Sequence, residues 1–167
     1  FLEVWLAQVS SSPSAEGWIQ INAADGDGNH LLTNGDTITL TNHDGTSVTV
    51  LEAGVDFFLE EDDGMGGTIP WNIHQVAASL RDAIDPAHGY NASGTADIVY
   101  LRSTVTGDAG NNCYYEFTTA DAGAITPHTP PVAGKCQLAG GMDTPNKPDQ
   151  DHLYRHGNTQ SPLSVAL

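Results

Sequence analysis

The first 80 residues contain no lysine and no arginine. Across the whole 167-residue chain the two types number five, against 21 aspartates and glutamates, a formal charge of −16. A surface of that sign repels phosphate backbones and anionic lipid headgroups, so neither nucleic-acid nor membrane-surface binding is expected. No apolar run approaches the roughly 18 residues that cross a bilayer. A cationic stretch followed by an apolar one, the mark of a signal peptide, is also missing. The chain opens on Phe1 instead of Met, which sets the expectation of a segment from a longer polypeptide. Two cysteines are too few for a disulfide scaffold, and no CxxC or His/Cys spacing points to zinc.

Hydrophobic residues make up 39% of the chain, enough for a proper core. Gly (18) and Pro (9) indicate many turns and short strands. Phe1 to Ser10 alternate as a strand with Leu2, Val4 and Leu6 on one side and Phe1, Trp5 and Val9 on the other. Ser10 to Glu16 reads as a linker. Strands are expected at 18–22, 36–41, 46–51, 55–59, 97–103, 113–119 and 134–138. Asp44-Gly45 supplies the turn of a hairpin spanning Thr37 to Leu51. Residues 60–67, EEDDGMGG, read as an acidic loop. One helix is expected from Pro70 to Ile84, with Thr68 as a cap, because Ile73, Val76, Ala77, Leu80 and Ile84 form one apolar stripe. Asp85-Pro86 stops it.

The fold class is therefore α+β. It is a small antiparallel β-sheet or sandwich module (17–143) with one amphipathic helix, between an N-terminal strand or arm (1–16) and an extended C-terminal arm (144–167). Ile38, Leu40, Val48, Val50, Val76, Leu80, Ile84, Val99 and Leu101 are the expected core.

Catalytic signatures fail one by one: no GxGxxG, GxxxxGK[ST], GxSxG or HExxH occurs. The seven histidines are scattered singly, so no enzyme is expected. Asp25, Asp27 and Asn29 have the alternate-position oxygens of a calcium loop, and Asp36 stands at its twelfth position. His30 replaces the sixth-position glycine and Asp36 the longer glutamate, which favours a glycine-rich turn over a calcium site. No other cofactor is indicated. Glu60, Glu61, Asp62 and Asp63 read first as a solvated loop and second as a site for a cation or basic partner. Cys113 and Cys136 flank the Pro-rich stretch 124–131 almost symmetrically. They fit either a bridge across two antiparallel strands or a pair of small buried hydrophobes. Trp5, Trp18 and Trp71 read first as packing residues and second as a sugar-stacking set. Asn91-Ala92-Ser93 is a sequon, without meaning unless the chain is secreted.

One ordered set of marks resembles a β-rich module common in phage tail-sheath and other virion proteins. It comprises Gly35-Asp36-Thr37-Ile38-Thr39-Leu40, the hairpin Asp44-Gly45-Thr46, Gly54-Val55-Asp56-Phe57 and the helix from Ala77 to Ile84. Ile98-Val99-Tyr100-Leu101, Thr106 to Asn111 and Leu138 to Asp143 follow. The set covers about two-thirds of the chain, and the Pro-rich loop and the cysteines depart from the usual pattern. The end segments, Phe1 to Leu6 and Leu153 to Gln160, resemble two parts of one pattern found in large phage tail, baseplate or fibre proteins, there adjoining and here separated by the module.

The resemblance implies a structural protein of the virion without chemistry, a homo-oligomer or a partner of other virion subunits. Leu2, Val4, Trp5, Leu6, Leu153 and Tyr154 are its expected assembly contacts. Two other readings stay open. One is a module that binds host-surface glycan from the particle, and the other a secreted pilus-like subunit whose first strand is donated to a neighbour.

Overall fold

The computed structural model describes residues 12–143 apart from 25, 27 and 85. Residues 1–11 and 144–167 of the expected arms, with Leu2, Val4, Trp5, Leu6, Leu153 and Tyr154, lie outside the described residues, while 14–16 belong to the first strand. Within them the chain is α+β, with ten strands in antiparallel sheets and a single α-helix. The helix is not long and apolar enough to cross a membrane.

The strands are β1 (Ser14–Ile21), β2 (Thr37–Thr41), β3 (Val48–Glu52), β4 (Glu60–Asp62), β5 (Thr68–Pro70), β6 (Tyr90–Ser93), β7 (Ile98–Thr106), β8 (Tyr114–Thr118), β9 (Ile125–Pro127) and β10 (Cys136–Gln137). One sheet runs β6-β7-β1-β9 and the other β10-β8-β2-β3, with β4-β5 a separate hairpin. Glu16 and Ala139 exchange backbone hydrogen bonds at 2.7 and 3.0 Å, which joins the two sheets at one seam. The inward residues of both sheets and the helix form one core.

Period-two alternation decides which residues enter it. In β1, Ala15, Gly17, Ile19 and Ile21 face in; opposite them in β7 stand Leu101 against Gly17 and Val99 against Ile19. A Cβ on Gly17 would meet Leu138 Cδ2 at 2.7 Å, so only glycine lets that leucine lie flat on the strand. In β3 the expected parity is reversed. Leu51 and, just beyond the strand, Ala53 are buried, which turns Val48 and Val50 outward at 59% and 54% exposure. A strand reading V-T-V-L-E buries every other residue, and the larger leucine takes the inside.

The helix α1 (Ile73–Ala83) is shorter than its apolar stripe suggested. Asn72 caps it, its side chain accepting the amides of His74 and Gln75 at 3.0 Å, while Gln75 Oε1 accepts the Asn72 amide at 3.0 Å. Thr68 and Pro70, expected as cap and first turn, lie in β5 instead. Val76, Ala77 and Leu80 bury the helix against β1, β6 and β7.

Other boundaries move for stated reasons. The expected linker Ser10–Glu16 ends in β1, and Ala15 is fully buried. The expected strand 55–59 is a turn closed by Val55 and Asp56 amides on the Glu52 carbonyl. Besides the hairpin strands β4 and β5, two strands were not foreseen: β6, where Tyr90 is the sole large apolar residue, and β9, which ends in a proline inside the Pro-rich stretch. Tyr90 nevertheless is fully buried. Its hydroxyl lies 2.6 Å from the Thr41 carbonyl and 2.7 Å from that of Tyr114, sharing one proton between the paired ends of β2 and β8.

The two ends of the described chain meet. Gly107 donates to the Pro13 carbonyl at 3.0 Å, and Asp108 donates to Asp143 Oδ1 at 3.0 Å.

Candidate binding groove beside an acidic hairpin

The run read as a loop, Glu60 to Asp63, is the first half of a hairpin. Glu60, Glu61 and Asp62 pair with Pro70, Ile69 and Thr68. Five tip residues close it, and carboxylates hold them. Asp63 Oδ1 accepts the Met65 and Gly67 amides at 2.7 and 2.9 Å, and Asp62 Oδ1 accepts the Gly64 amide at 2.7 Å. The two amides hold the Asp63 carboxyl below its ordinary pKa. Gly64 and Gly66 have φ of 73° and 88°, where a side chain would strain the tip. All six strand residues are exposed on both faces, and Met65 at the tip is 92% exposed.

At the hairpin base the Trp71 amide donates to the Leu59 carbonyl at 2.8 Å, and His30 Nε2 lies 3.1 Å from the same oxygen. Two aromatic rings flank this base. Phe58 and Trp71 stand edge to face, 6.3 Å between centroids and 78° between planes. Phe57 enters the core, so Phe58, next in the chain, is turned out and is 52% exposed. Its amide donates to Ser79 Oγ at 2.8 Å, which fixes the turn against α1.

Between that turn and α1 runs a groove of about 520 Å³, inside the usual small-molecule range of roughly 300–1,000 Å³. Asp56, Phe58, Trp71, Gln75, Ser79 and Asp82 line it. The indole N–H of Trp71 is buried and has no acceptor among the described residues. Asp56 Oδ2 accepts the Glu52 amide at 2.8 Å, and Asp82 Oδ1 lies 3.2 Å from Arg81 Nε.

Of the four calcium candidates, Asn29 and Asp36 lie among the described residues. Asp36 is buried, and its two oxygens accept the amides of Thr33 and Ala120, each at 2.8 Å. Its carboxylate thus closes a turn and anchors a distant loop. Asn29 pairs with Asn72 in a short bridge; Asp25 and Asp27 lie outside the described residues. No cluster of three metal-competent side chains occurs among the described residues.

Both cysteines are buried and free. The bridge fails on register: Cys136 stands opposite Tyr115, and Cys113 opposite Leu138, whose amide donates to the Cys113 carbonyl. The thiols are therefore diagonal neighbours, beyond the usual reach of a disulfide. Burial raises both thiol pKa values.

Trp18 and Trp71 do not form one platform. Trp18 is edge-on to His128, 5.5 Å between centroids, while Trp71 packs with Phe58. Trp5 lies outside the described residues. Asn91 of the sequon is exposed on β6, an edge strand. A second cavity, about 540 Å³, lies beside Lys135, whose ammonium sits 4.2 Å over the Tyr114 ring.

No protein-family model matches this chain, and no curated protein matches it in sequence. The groove and hairpin have to be read from their own chemistry. Sequence reasoning missed the groove because Phe58 and Trp71 are 13 positions apart and meet only when the hairpin folds. The adjacent Phe57-Phe58 was the available signal, since a turn or strand buries one of two such rings and exposes the other.

Proposed function

We propose that the chain is a structural component of a bacteriophage virion, of its tail, baseplate or fibre, and that copies assemble through strand and hairpin contacts. The observation that carries this reading is the β4-β5 hairpin. A two-stranded hairpin exposed on both faces is marginal in water, yet this one is ordered at its tip by three amide–carboxylate bonds and carries Met65 and Ile69 outward. Such an element gains its stability when a neighbour covers it. The edge strand β3, with Val48 and Val50 outward, offers a second strand-pairing surface on the same principle. The meeting of Pro13 with Asp143 at Gly107 and Asp108 suits a module set between two halves of one flanking pattern. In this reading the chain performs no catalytic step, and its charge of −16 keeps it from nucleic acid and anionic membrane.

Sedimentation of the full chain over a concentration series tests the proposal. Association is expected, and the double variant Met65→Ser, Ile69→Ser should abolish it while leaving the melting temperature unchanged, both side chains being solvent-facing. A chain that stays monomeric throughout, or a variant that associates as before, overturns the hairpin as the assembly element.

A further inference from the structure

We infer that the β4-β5 hairpin of one copy docks on the Val132–Lys135 turn of a second copy, Glu61 against Lys135 and Ile69 against Val132. The inference rests on the assembly reading and names the surface that receives the hairpin. Lysine and arginine occur three times among the described residues, as Arg81, Arg102 and Lys135. Arg81 lies 3.2 Å from Asp82 and Arg102 lies 3.7 Å from Glu16. Lys135 makes no ion pair among the described residues; its ammonium rests on the Tyr114 ring. No carboxylate lines the cavity beside it. In a chain of charge −16, that leaves a surface open to an acidic partner. Val132 stands opposite Lys135, the two exchanging backbone bonds at 3.0 and 3.1 Å. Ala133 and Gly134 between them have φ of 51° and 84°, which fits the tight turn of a two-residue hairpin. Val132 is 78% exposed, so the turn presents an apolar side chain and a cation side by side.

The hairpin carries the complement at the same spacing. Glu61 and Ile69 stand opposite one another in β4 and β5. The Leu59–Trp71 and Asp63–Gly67 backbone bonds on either side set the phase, so this pair too is of the kind that exchanges both bonds. Such pairs keep their Cα atoms about 5.5 Å apart and their side chains on one face. Glu60 accepts the Thr68 hydroxyl, while Asp62 and Asp63 hold the tip. Glu61 has no such partner among the described residues, so its carboxylate is the one left for a neighbour. The cavity beside Lys135, walled by Pro130 and Leu138, offers apolar surface to Met65 at the tip.

A free anion would meet Lys135 but leave Val132 and Ile69 in water. A basic partner would suit Glu61 and be repelled by Lys135. A second copy supplies both halves together. An exposed ion pair adds little affinity; the apolar side chains supply that, and the charges fix register and partner.

The test is sedimentation of the full chain and its charge variants over a concentration series. Lys135→Glu and Glu61→Lys each set like charges against each other and should weaken association about tenfold or more. Both changes in one chain restore the opposite charges and should bring association back to within about threefold of the parent. An equimolar mixture of the two single variants should recover it too. Melting temperatures should match the parent's, since both positions are exposed. A charge-swapped chain that stays weak overturns the inference. Loss of association in Met65→Ser, Ile69→Ser without loss in Lys135→Glu overturns it alone and leaves the hairpin as the assembly element. A parent chain that never associates overturns both.

Discussion

Tyr115 donates its phenolic hydrogen to the Trp18 carbonyl at 2.8 Å, so a side chain of β8 in one sheet is fastened to the backbone of β1 in the other. The Tyr115 hydroxyl oxygen in turn accepts the His128 amide at 3.2 Å. With Tyr90, which reaches from β6 to the ends of β2 and β8, this makes two buried hydroxyls that hold the sheets in one arrangement. Burial raises both phenol pKa values well above the ordinary value near 10.

A raised phenol pKa gives a direction in pH. Below about pH 10 both folded and unfolded states are protonated and the contribution is complete. Above it the unfolded chain ionises first, so stability falls as pH rises toward the folded value. The melting temperature is expected to drop steeply above pH 10. Tyr115→Phe should cost about 1–3 kcal/mol at neutral pH and flatten that alkaline slope; an unchanged slope in both Tyr115→Phe and Tyr90→Phe would assign it elsewhere.

Leu80 is fully buried where α1 meets the sheet. Leu80→Ala should lose about 2–5 kcal/mol in denaturant unfolding. Val50→Ala, on the solvent side of β3, should lose less than about 0.5 kcal/mol. Equal losses would mean that the parity of β3 has been misassigned.

The two thiols should be inert in the folded chain. Cys113 donates to Ser103 Oγ at 3.4 Å, and both cysteines are raised from 9.0 by burial. Ellman's reagent at pH 8 is expected to label neither until denaturant is added, and then both. Prompt labelling of the native chain would contradict their burial, and no labelling after denaturation would reveal a bridge.

Asp36 is a structural carboxylate. Asp36→Ala should cost about 1–3 kcal/mol, because the Thr33 and Ala120 amides lose their acceptor. Millimolar calcium should leave the melting temperature of the parent chain where it was. A rise of several degrees that Asp36→Ala removes would return the carboxylate to a metal.

The α+β class, the hairpin β2-β3, the helix stripe and strands β7 and β8 were all readable from alternation and period. What escaped was decided at longer range. Val48 and Val50 have the higher strand propensity, yet Leu51 and Ala53 set the inward parity because the sheet buries one face only. The start of α1 was placed at Pro70 for its preset φ, whereas the Asn72–Gln75 capping box stood two residues on and won. An acidic run looked like a loop because strand pairing of Glu60 and Glu61 with Pro70 and Ile69 needs no apolar face when neither side is covered. The groove had no local signature. Its rings come from either side of a hairpin, and its polar groups from a helix and from Asp56 in a turn.

The shared attachment of Pro13 and Asp143 to Gly107 and Asp108 has a mechanical meaning. Pulled by its flanks, the domain is loaded at one corner, not across its length. Tension falls first on the bonds at that corner, then on the Glu16–Ala139 pair just inside it. These bonds open in series, as a zipper does from its end, so the seam yields at low force while β2, β3 and β8 are still unstressed. Under tension, such a domain gives slack before it gives way.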